Sequence, residues 1–368
     1  MVSSVVTISI IDRLVNDSIL LYFLTKSRYS HTMEPTLLSA ASKNISDIIT
    51  LAIAHKPPEK ALVVFDTGCG LTNILTEAYR NALPDAHFVD FNTVTKEEII
   101  SLFDAMQPSD LVVLIQTSNF LLDAFRIRLY LFQKQLKVIE HTHLYRNSPE
   151  VWDVYVNALA YDPAWYRTVG PKLKAKLETA NELRIEAGEH ALVVQGGVES
   201  PKLNIGDYAG MENVGGTFPI GEVFTESKDF LKMNGSVMIY AFAGPDFMIN
   251  MHEPFRVDVR EGQVVGWAEN APPSFAEIVR VIKEYERPLI REIGFGLNRA
   301  ITRERYLEDI TAFERILGMH LSLGEKHSVY KKAGITTHKT KFHVDLFPVV
   351  DRTLVDGELI FEDGKYLV

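Results

Sequence analysis

The alternation of short apolar runs with amphipathic stretches in the first half most constrains the fold. Residues 61–68 (ALVVFDTG) and 110–117 (DLVVLIQT) have the pattern of buried strands, while 42–56, 73–82 and 95–106 have helical periodicity. Parallel strands need a long crossover connection between them, and that connection is usually a helix. The alternation therefore predicts an N-terminal α/β domain with a mostly parallel sheet.

The composition changes near residue 188, which predicts a second domain. Residues 170–188 (GPKLKAKLETANELRIEAG) favour a helix that links the two domains, and glycines and β-like runs become frequent beyond it. We therefore expect an N-terminal extension over 1–32, the α/β domain over 33–187 and a C-terminal mixed α+β domain over 188–368. Met33 is an alternative start, which would remove the extension.

Charge and cysteine content exclude several classes of partner. The formal net charge is −10 and the pI is about 5.6, so the chain lacks the basic field that nucleic acid requires. Cys69 is the only cysteine, which excludes a disulfide framework and favours a cytoplasmic location. The apolar run 18–25 is too short to span a bilayer, so we expect no membrane partner.

Histidines concentrate near the end of the chain. His320, His327, His338 and His343 lie within 24 residues, and histidine is the commonest metal ligand. His343 and Asp345 flank Val344, so on a strand they share one face and can bind a divalent cation together. A His–Asp hydrogen bond in a polar pocket explains the same pattern, and both interpretations stay open.

Three further polar residues lie in glycine-bounded, strand-like runs: Glu222 in GGTFPIGEVFT, Glu292 in REIGFGLN and His320 in ILGMHLSLG. Each has a structural alternative. A glutamate at a turn can simply face solvent, and a core histidine can bond to a carbonyl.

Together, the candidates comprise three carboxylates and two imidazoles. Such a set is sufficient for a two-metal site that activates water. It also contains His320, His343 and Asp345, a 2-His-1-carboxylate set that suits non-haem Fe(II). Spacing along the chain does not choose between these sites.

Four segments, in this order, resemble the metallopeptidases of the aminopeptidase T and aminopeptidase S type. The resemblance covers roughly residues 190–350. The segments are PIGEVFT (219–225), EIGFGLN (292–298), GMHLSLG (318–324) and HVD (343–345).

The resemblance implies a homodimeric, leucyl-type aminopeptidase whose C-terminal domain binds one or two divalent ions, Zn, Co or Mn. Its substrate would be a short peptide or another small molecule. Carried over by position, the ligands would be Glu222, Glu292, His320, His343 and Asp345.

Two positions depart from the peptidase pattern. Gly221 stands where the peptidases have a second glutamate, and His327 stands where they have a functional tyrosine, although Tyr330 is near. The chain is also similar to 2,5-dihydroxypyridine 5,6-dioxygenase, an Fe(II) enzyme with Gly-Glu at the first of these positions. That similarity implies a ring-cleaving dioxygenase as the alternative to a hydrolase, and a non-catalytic metal-binding relative is a further alternative.

The roles of the remaining candidates depend on these alternatives. In the hydrolase, Glu222 and His327 would be the catalytic residues. Three further residues are expected to contact substrate: His252, Tyr330 and Arg146, the last through a substrate carboxylate.

Overall fold

A computed structural model describes residues 35–122, 126–324, 330 and 343–368. The expected N-terminal extension, 1–32, lies outside the described residues. The α-helices of the described part, numbered α1 to α8, are Pro35–Asp47, Gly70–Ala82, Lys96–Ala105, Ile127–Gln133, Trp152–Ala158, Pro163–Glu178, Pro273–Lys283 and Ile310–Phe313. A π-helical turn, Ile48–Ala52, follows α1, and four short 3₁₀ helices are Phe91–Thr93, Leu144–Arg146, Pro149–Val151 and Phe230–Lys232.

The strands are numbered β1 to β18 in chain order. The first nine are Ala61–Phe65, His87–Asp90, Leu111–Ile115, Lys137–His141, Glu182–Ala187, His190–Gln195, Lys202–Asn204, Gly215–Thr217 and Glu222–Thr225. The other nine are Met233–Ala243, Ile249–Arg260, Gln263–Trp267, Ile290–Gly296, Gly318–Gly324, His343–Pro348, Arg352–Val355, Glu358–Glu362 and Lys365–Tyr366.

A parallel sheet confirms the α/β prediction for the first half. Its strand order is β2-β1-β3-β4-β8, and every neighbouring pair is parallel. The central strand β3 (LVVLI) is buried along its whole length, because both faces of a parallel sheet are covered. Helix α3 begins with a reciprocal capping box, in which Thr95 and Glu98 each accept a hydrogen bond from the other's backbone N–H.

A large antiparallel sheet forms most of the second half and confirms the mixed α+β prediction. Its path is β18-β17-β16-β5-β6-β10-β15-β14-β13-β9-β7, and β11 and β12 continue from β10. Helix α7 follows β12 and precedes β13 in the sequence. Its side chains Phe275, Val279 and Ile282 are buried. The strands that carry the predicted metal ligands are adjacent in this path: β9, β13, β14 and β15.

The predicted helix over 170–188 is wrong in its second part. Helix α6 ends at Glu178, and residues 182–187 form β5. Leu183, Ile185 and Ala187 are buried and alternate with charged residues, which is the period of a strand with one buried face.

The two sheets exchange segments of chain. Strand β5 precedes residue 188 but belongs to the antiparallel sheet, whereas β8 follows it and completes the parallel sheet beside β4. The predicted boundaries of the two domains stay predictions. No helix of the described ranges is long and apolar enough to cross a bilayer.

Candidate metal centre

Four adjacent strands bring the predicted ligands to one face of the antiparallel sheet. In register, Glu222 on β9 lies beside Gly296, and His320 on β14 lies beside Gly294. Ser322 on β14 pairs with positions on both of its neighbours. Residues directly opposite each other in a sheet share a face. The residues paired with Ser322 are Glu292 on β13 and Asp345 on β15, while His343 on β15 is paired with Gly324.

Buried apolar and polar side chains alternate along β14, and this pattern explains the position of the His320 imidazole. Met319, Leu321 and Leu323 are buried in the hydrophobic core on one face. His320 and Ser322 therefore project from the other face, since successive side chains of a strand point to opposite sides. The strand is held in place by its apolar face and presents a polar one.

Gly294 provides the space for the His320 ring. A Cβ atom added at position 294 would lie 2.0 Å from Cε1 and 2.3 Å from Nε2 of His320. The glycines of the segment EIGFGLN thus have a physical role, because a strand glycine permits this close approach.

The five predicted ligands form two close groups. His320 Nε2 lies 3.3 Å from Glu292 Oε1 and 3.4 Å from Glu222 Oε1. His343 Nε2 lies 3.0 Å from Asp345 Oδ1, which also accepts a hydrogen bond from Ser322 Oγ at 2.5 Å. The His–Asp contact considered from the sequence is therefore present, and it lies beside further donors.

The carboxylates favour protonated imidazoles. Burial alone lowers the pKa of His320, but its hydrogen bond to Glu292 and the charges of Asp345 and Glu222 outweigh burial and raise that pKa to about 9. The charge of Asp345 is the main cause that raises the pKa of His343, to about 10. Both rings are thus positively charged at neutral pH when no cation is bound.

The carboxyl groups respond in opposite directions. Burial raises the pKa of Glu222, and the charges of Arg315 and His320 offset only part of this effect. For Asp345 and Glu292, burial also acts to raise the pKa. At Asp345 the His343 imidazole outweighs the effect of burial, and at Glu292 the His320 imidazole does. The pKa values of both carboxyls are therefore lowered.

Glu314 and Arg315 complete the cluster and were missed in the sequence. Arg315 Nη1 donates to Glu222 Oε2 at 2.6 Å and lies 2.7 Å from Glu314 Oε1. Glu222, Glu314 and His320 each offer a donor atom, and these atoms lie within 4.8 Å of one another. Burial raises the pKa of Glu314 to about 8, against the charge of Arg315. The available signal was the pair Glu314-Arg315 just before GMHLSLG.

The donor atoms fit a divalent cation. Metal bonds of about 2.0–2.2 Å at tetrahedral angles separate neighbouring ligand atoms by about 3.3–3.6 Å, close to the two distances from His320 Nε2. Glu292 Oε2 is buried and has no hydrogen-bond partner within residues 35–122, 126–324, 330 and 343–368. Imidazole and carboxylate donors suit Zn, Mn and Fe alike.

Gly221 has a backbone reason to be glycine. Its φ is +122°, a region that side chains disfavour, and an added Cβ would lie 2.8 Å from Cε1 of Tyr166. The second glutamate of the peptidase pattern therefore does not fit this backbone.

The sequence also predicts a catalytic role for His327 and a substrate contact for Tyr330. His327, expected to be catalytic, lies outside the described residues. Tyr330 donates its hydroxyl to the backbone oxygens of Ser200 and Phe224, and burial raises its pKa. Its expected contact with substrate stays a prediction.

Arg146 and His252 have protein contacts of their own. Arg146 Nη1 donates to the buried carboxylate of Asp309 at 2.8 Å. The ring of His252 stacks on Phe242, with 4.7 Å between centroids, and burial lowers its pKa. Their expected roles in substrate binding also stay predictions.

Comparison with solved structures shows a shared fold. The chain is similar to the structure of 2,5-dihydroxypyridine dioxygenase from Pseudomonas putida, with a TM-score of 0.60 and 15% identity over 90% of this chain and 98% of that one. It is also similar to AmpT from Thermus thermophilus, with a TM-score of 0.55 and 13% identity over 90% and 99%. No protein-family model matches the chain, and no curated protein does. At this identity the similarity establishes a distant relationship of fold.

Proposed function

We propose that this protein is a metal-dependent hydrolase of the aminopeptidase type, acting on short peptides or other small molecules that carry a free amine. The observation that supports it is the carboxylate-rich cluster formed by β9, β13, β14, β15 and the end of α8. His320, His343 and Asp345 are already sufficient for a minimal metal site. Glu222, Glu292 and Glu314 are present in addition to them. A carboxylate oxygen beside the ion can accept the proton of the attacking water, which hydrolysis requires.

In the proposed mechanism, His320, His343, Asp345 and Oε1 of Glu292 would hold the ion. A bound divalent ion supplies Lewis acidity and lowers the pKa of water, so that attack proceeds near neutral pH. Glu292 Oε2, which has no partner among the described residues, accepts the proton of the attacking water. Substrate approaches past His343, whose side chain is 39% exposed, whereas the Asp345 side chain is buried.

The test combines metal analysis with peptidase assays. After loading with Zn²⁺, Co²⁺ or Mn²⁺, the protein should hydrolyse aminoacyl-p-nitroanilides, with leucine preferred. Compared at equal metal content, Glu292→Gln should lower kcat by about 10²–10⁴-fold, the usual contribution of general-base catalysis. A metal-loaded protein that cleaves none of these substrates would contradict the proposal.

A second candidate is a mononuclear Fe(II) dioxygenase that cleaves a hydroxylated heteroaromatic ring. The contact of Arg315 with Glu222 favours it, because His320, His343 and Asp345 then remain as a 2-His-1-carboxylate set. One of the similar solved structures is a 2,5-dihydroxypyridine dioxygenase. Oxygen consumption with 2,5-dihydroxypyridine after anaerobic Fe(II) loading would favour this candidate over the hydrolase. Metal binding without either activity would leave a non-catalytic relative.

The proposal includes a homodimer in the cytoplasm, as the peptidase resemblance and the single cysteine suggested. Light scattering on the purified protein distinguishes a monomer of 41.5 kDa from a dimer of twice that mass.

A further inference from the structure

Arg315 is a buried cation inside the carboxylate cluster. It lies between α8 and β14, and its residue is 8% exposed. Nη1 lies 2.6 Å from Glu222 Oε2 and 2.7 Å from Glu314 Oε1, so a single nitrogen contacts two carboxylates. Arginine stays protonated under all ordinary conditions, so this positive charge is permanent.

The backbone around Arg315 fixes its position. Its carbonyl oxygen accepts a hydrogen bond from Asn298 N at 3.0 Å. The carbonyl carbon of Arg315 would lie 2.8 Å from a Cβ at Gly296, and the oxygen of Ile316 would lie 1.9 Å from it. Glycine at 296 therefore lets this turn lie directly against β13, and the guanidinium extends from a rigid base.

Arg315 occupies a place that suits a metal ion. Glu222, Glu314 and His320 are the donors that lie within 4.8 Å of one another, and Nη1 contacts two of these three residues. In two-metal sites the ions are about 3.5–4 Å apart and are joined by carboxylates with one oxygen on each ion. Glu222 directs Oε1 to His320 and Oε2 to Arg315, so only one of its oxygens is available to an ion.

We propose that the guanidinium of Arg315 takes the place of a second metal ion, so that the centre binds one divalent ion per chain. This inference rests on one part of the proposed function, namely that the centre binds a metal ion, and it does not depend on the reaction. His320, Glu292, His343 and Asp345 would hold the single ion, and Arg315 contacts Glu222 and Glu314 beside them. An ion can be removed by a chelator, but this second cation is covalently part of the chain.

Metal stoichiometry tests the inference without reference to activity. The full-length protein is stripped with a chelator, dialysed against excess Co²⁺ or Zn²⁺ and analysed by elemental mass spectrometry. We expect one ion per wild-type chain and two per chain of Arg315→Met, because Glu222 and Glu314 become free to bind the second. The double variant Arg315→Met/Glu314→Gln should return to one, since it lacks a ligand of the second ion.

Two controls separate this effect from general damage. Arg291, on β13, is 6% exposed and pairs with Glu286 at 3.1 Å. Arg291→Met therefore removes a similarly buried guanidinium, and this variant should still bind one ion. Arg315→Lys retains a cation and should also keep one. Circular dichroism establishes that each variant is folded.

The outcomes are distinct. Two ions in the wild-type protein, or one ion in folded Arg315→Met, would overturn the inference while leaving metal-dependent function intact. A wild-type protein that binds no ion would contradict the proposed function and the inference with it. If Arg315→Met does not fold, the wild-type and Arg315→Lys stoichiometries still decide, because either one at two ions rejects the inference.

Discussion

Gly294 controls the position of His320, because any side chain at 294 would overlap the imidazole ring. We predict that Gly294→Ala weakens metal binding by more than about 100-fold, since outer-shell changes alone cost about 10–100-fold. Isothermal titration with Zn²⁺ measures this loss. Gly266→Ala is the matched control: its Cβ would be 3.4 Å from the nearest atom, on strand β12, and affinity should not change.

The raised pKa values of two imidazoles make metal binding dependent on pH. His320, with a pKa of about 9, and His343, with a pKa of about 10, are protonated at pH 7 in the metal-free protein. Imidazole binds metal only when neutral, so binding at pH 7 should release about two protons. Affinity should then rise with pH up to about 10, the higher of the two pKa values. Titrations in buffers of different ionisation enthalpy count the protons, and release of none would contradict the prediction.

The same shifts affect the stability of the metal-free protein in the opposite direction. A group whose pKa is raised on folding stabilises the folded state fully below its unfolded value, about 6.5 for histidine. That contribution is lost as pH rises through about 9 and 10, the folded values of His320 and His343. Urea denaturation of the metal-free protein should therefore give a lower free energy of unfolding at pH 10 than at pH 6.5.

At the scale of single residues, the sequence predicted what is local. His343 and Asp345 share a face because strands alternate, and this needs only neighbouring residues. The contact of Arg315 with Glu222 spans 93 positions of sequence and depends on the registers of three strands. No local pattern encodes it, so the guanidinium in the cluster could not be predicted.

The register between β14 and β15 is what brings the two histidine segments together. Ser322 pairs with Asp345 across these strands and donates a hydrogen bond to its carboxylate. We predict that Ser322→Ala lowers metal affinity by about 10–100-fold, the usual effect of losing a hydrogen bond to a ligand, without unfolding the sheet. Titration with Zn²⁺ measures it, and unchanged affinity would show that Asp345 needs no such support.

Elements with strong periodicity were predictable, and short or ambiguous ones were not. Strands β1 and β3 are continuous apolar runs, and both were expected. The sequence wrongly predicts a helix at β5, because Lys- and Glu-rich helical sequence precedes it directly. Strand β8 is Gly-Gly-Thr, which has no apolar pattern, so its pairing with β4 follows from tertiary structure alone.

At the scale of the whole molecule, Arg146 and Asp309 connect the loop after β4 to the start of α8 through a buried ion pair. We predict that Arg146→Met lowers the free energy of unfolding by about 3–5 kcal/mol, because it leaves a buried carboxylate without its partner. Arg146→Met/Asp309→Leu should recover most of this loss. Urea denaturation of the two variants provides the comparison, and an equally unstable double variant would contradict the explanation.

The late position of β8 has a consequence for the order of events during synthesis. The parallel sheet needs β8 beside β4, yet β8 is made after both strands of the β5–β6 hairpin. At about 5–20 residues per second, the roughly 75 residues between β4 and β8 take about 4–15 s to translate. During that interval one edge of β4 has no neighbour, and an open edge is where strands of other chains attach. Until β8 is made, this edge of the nascent chain is therefore open to pairing with other chains.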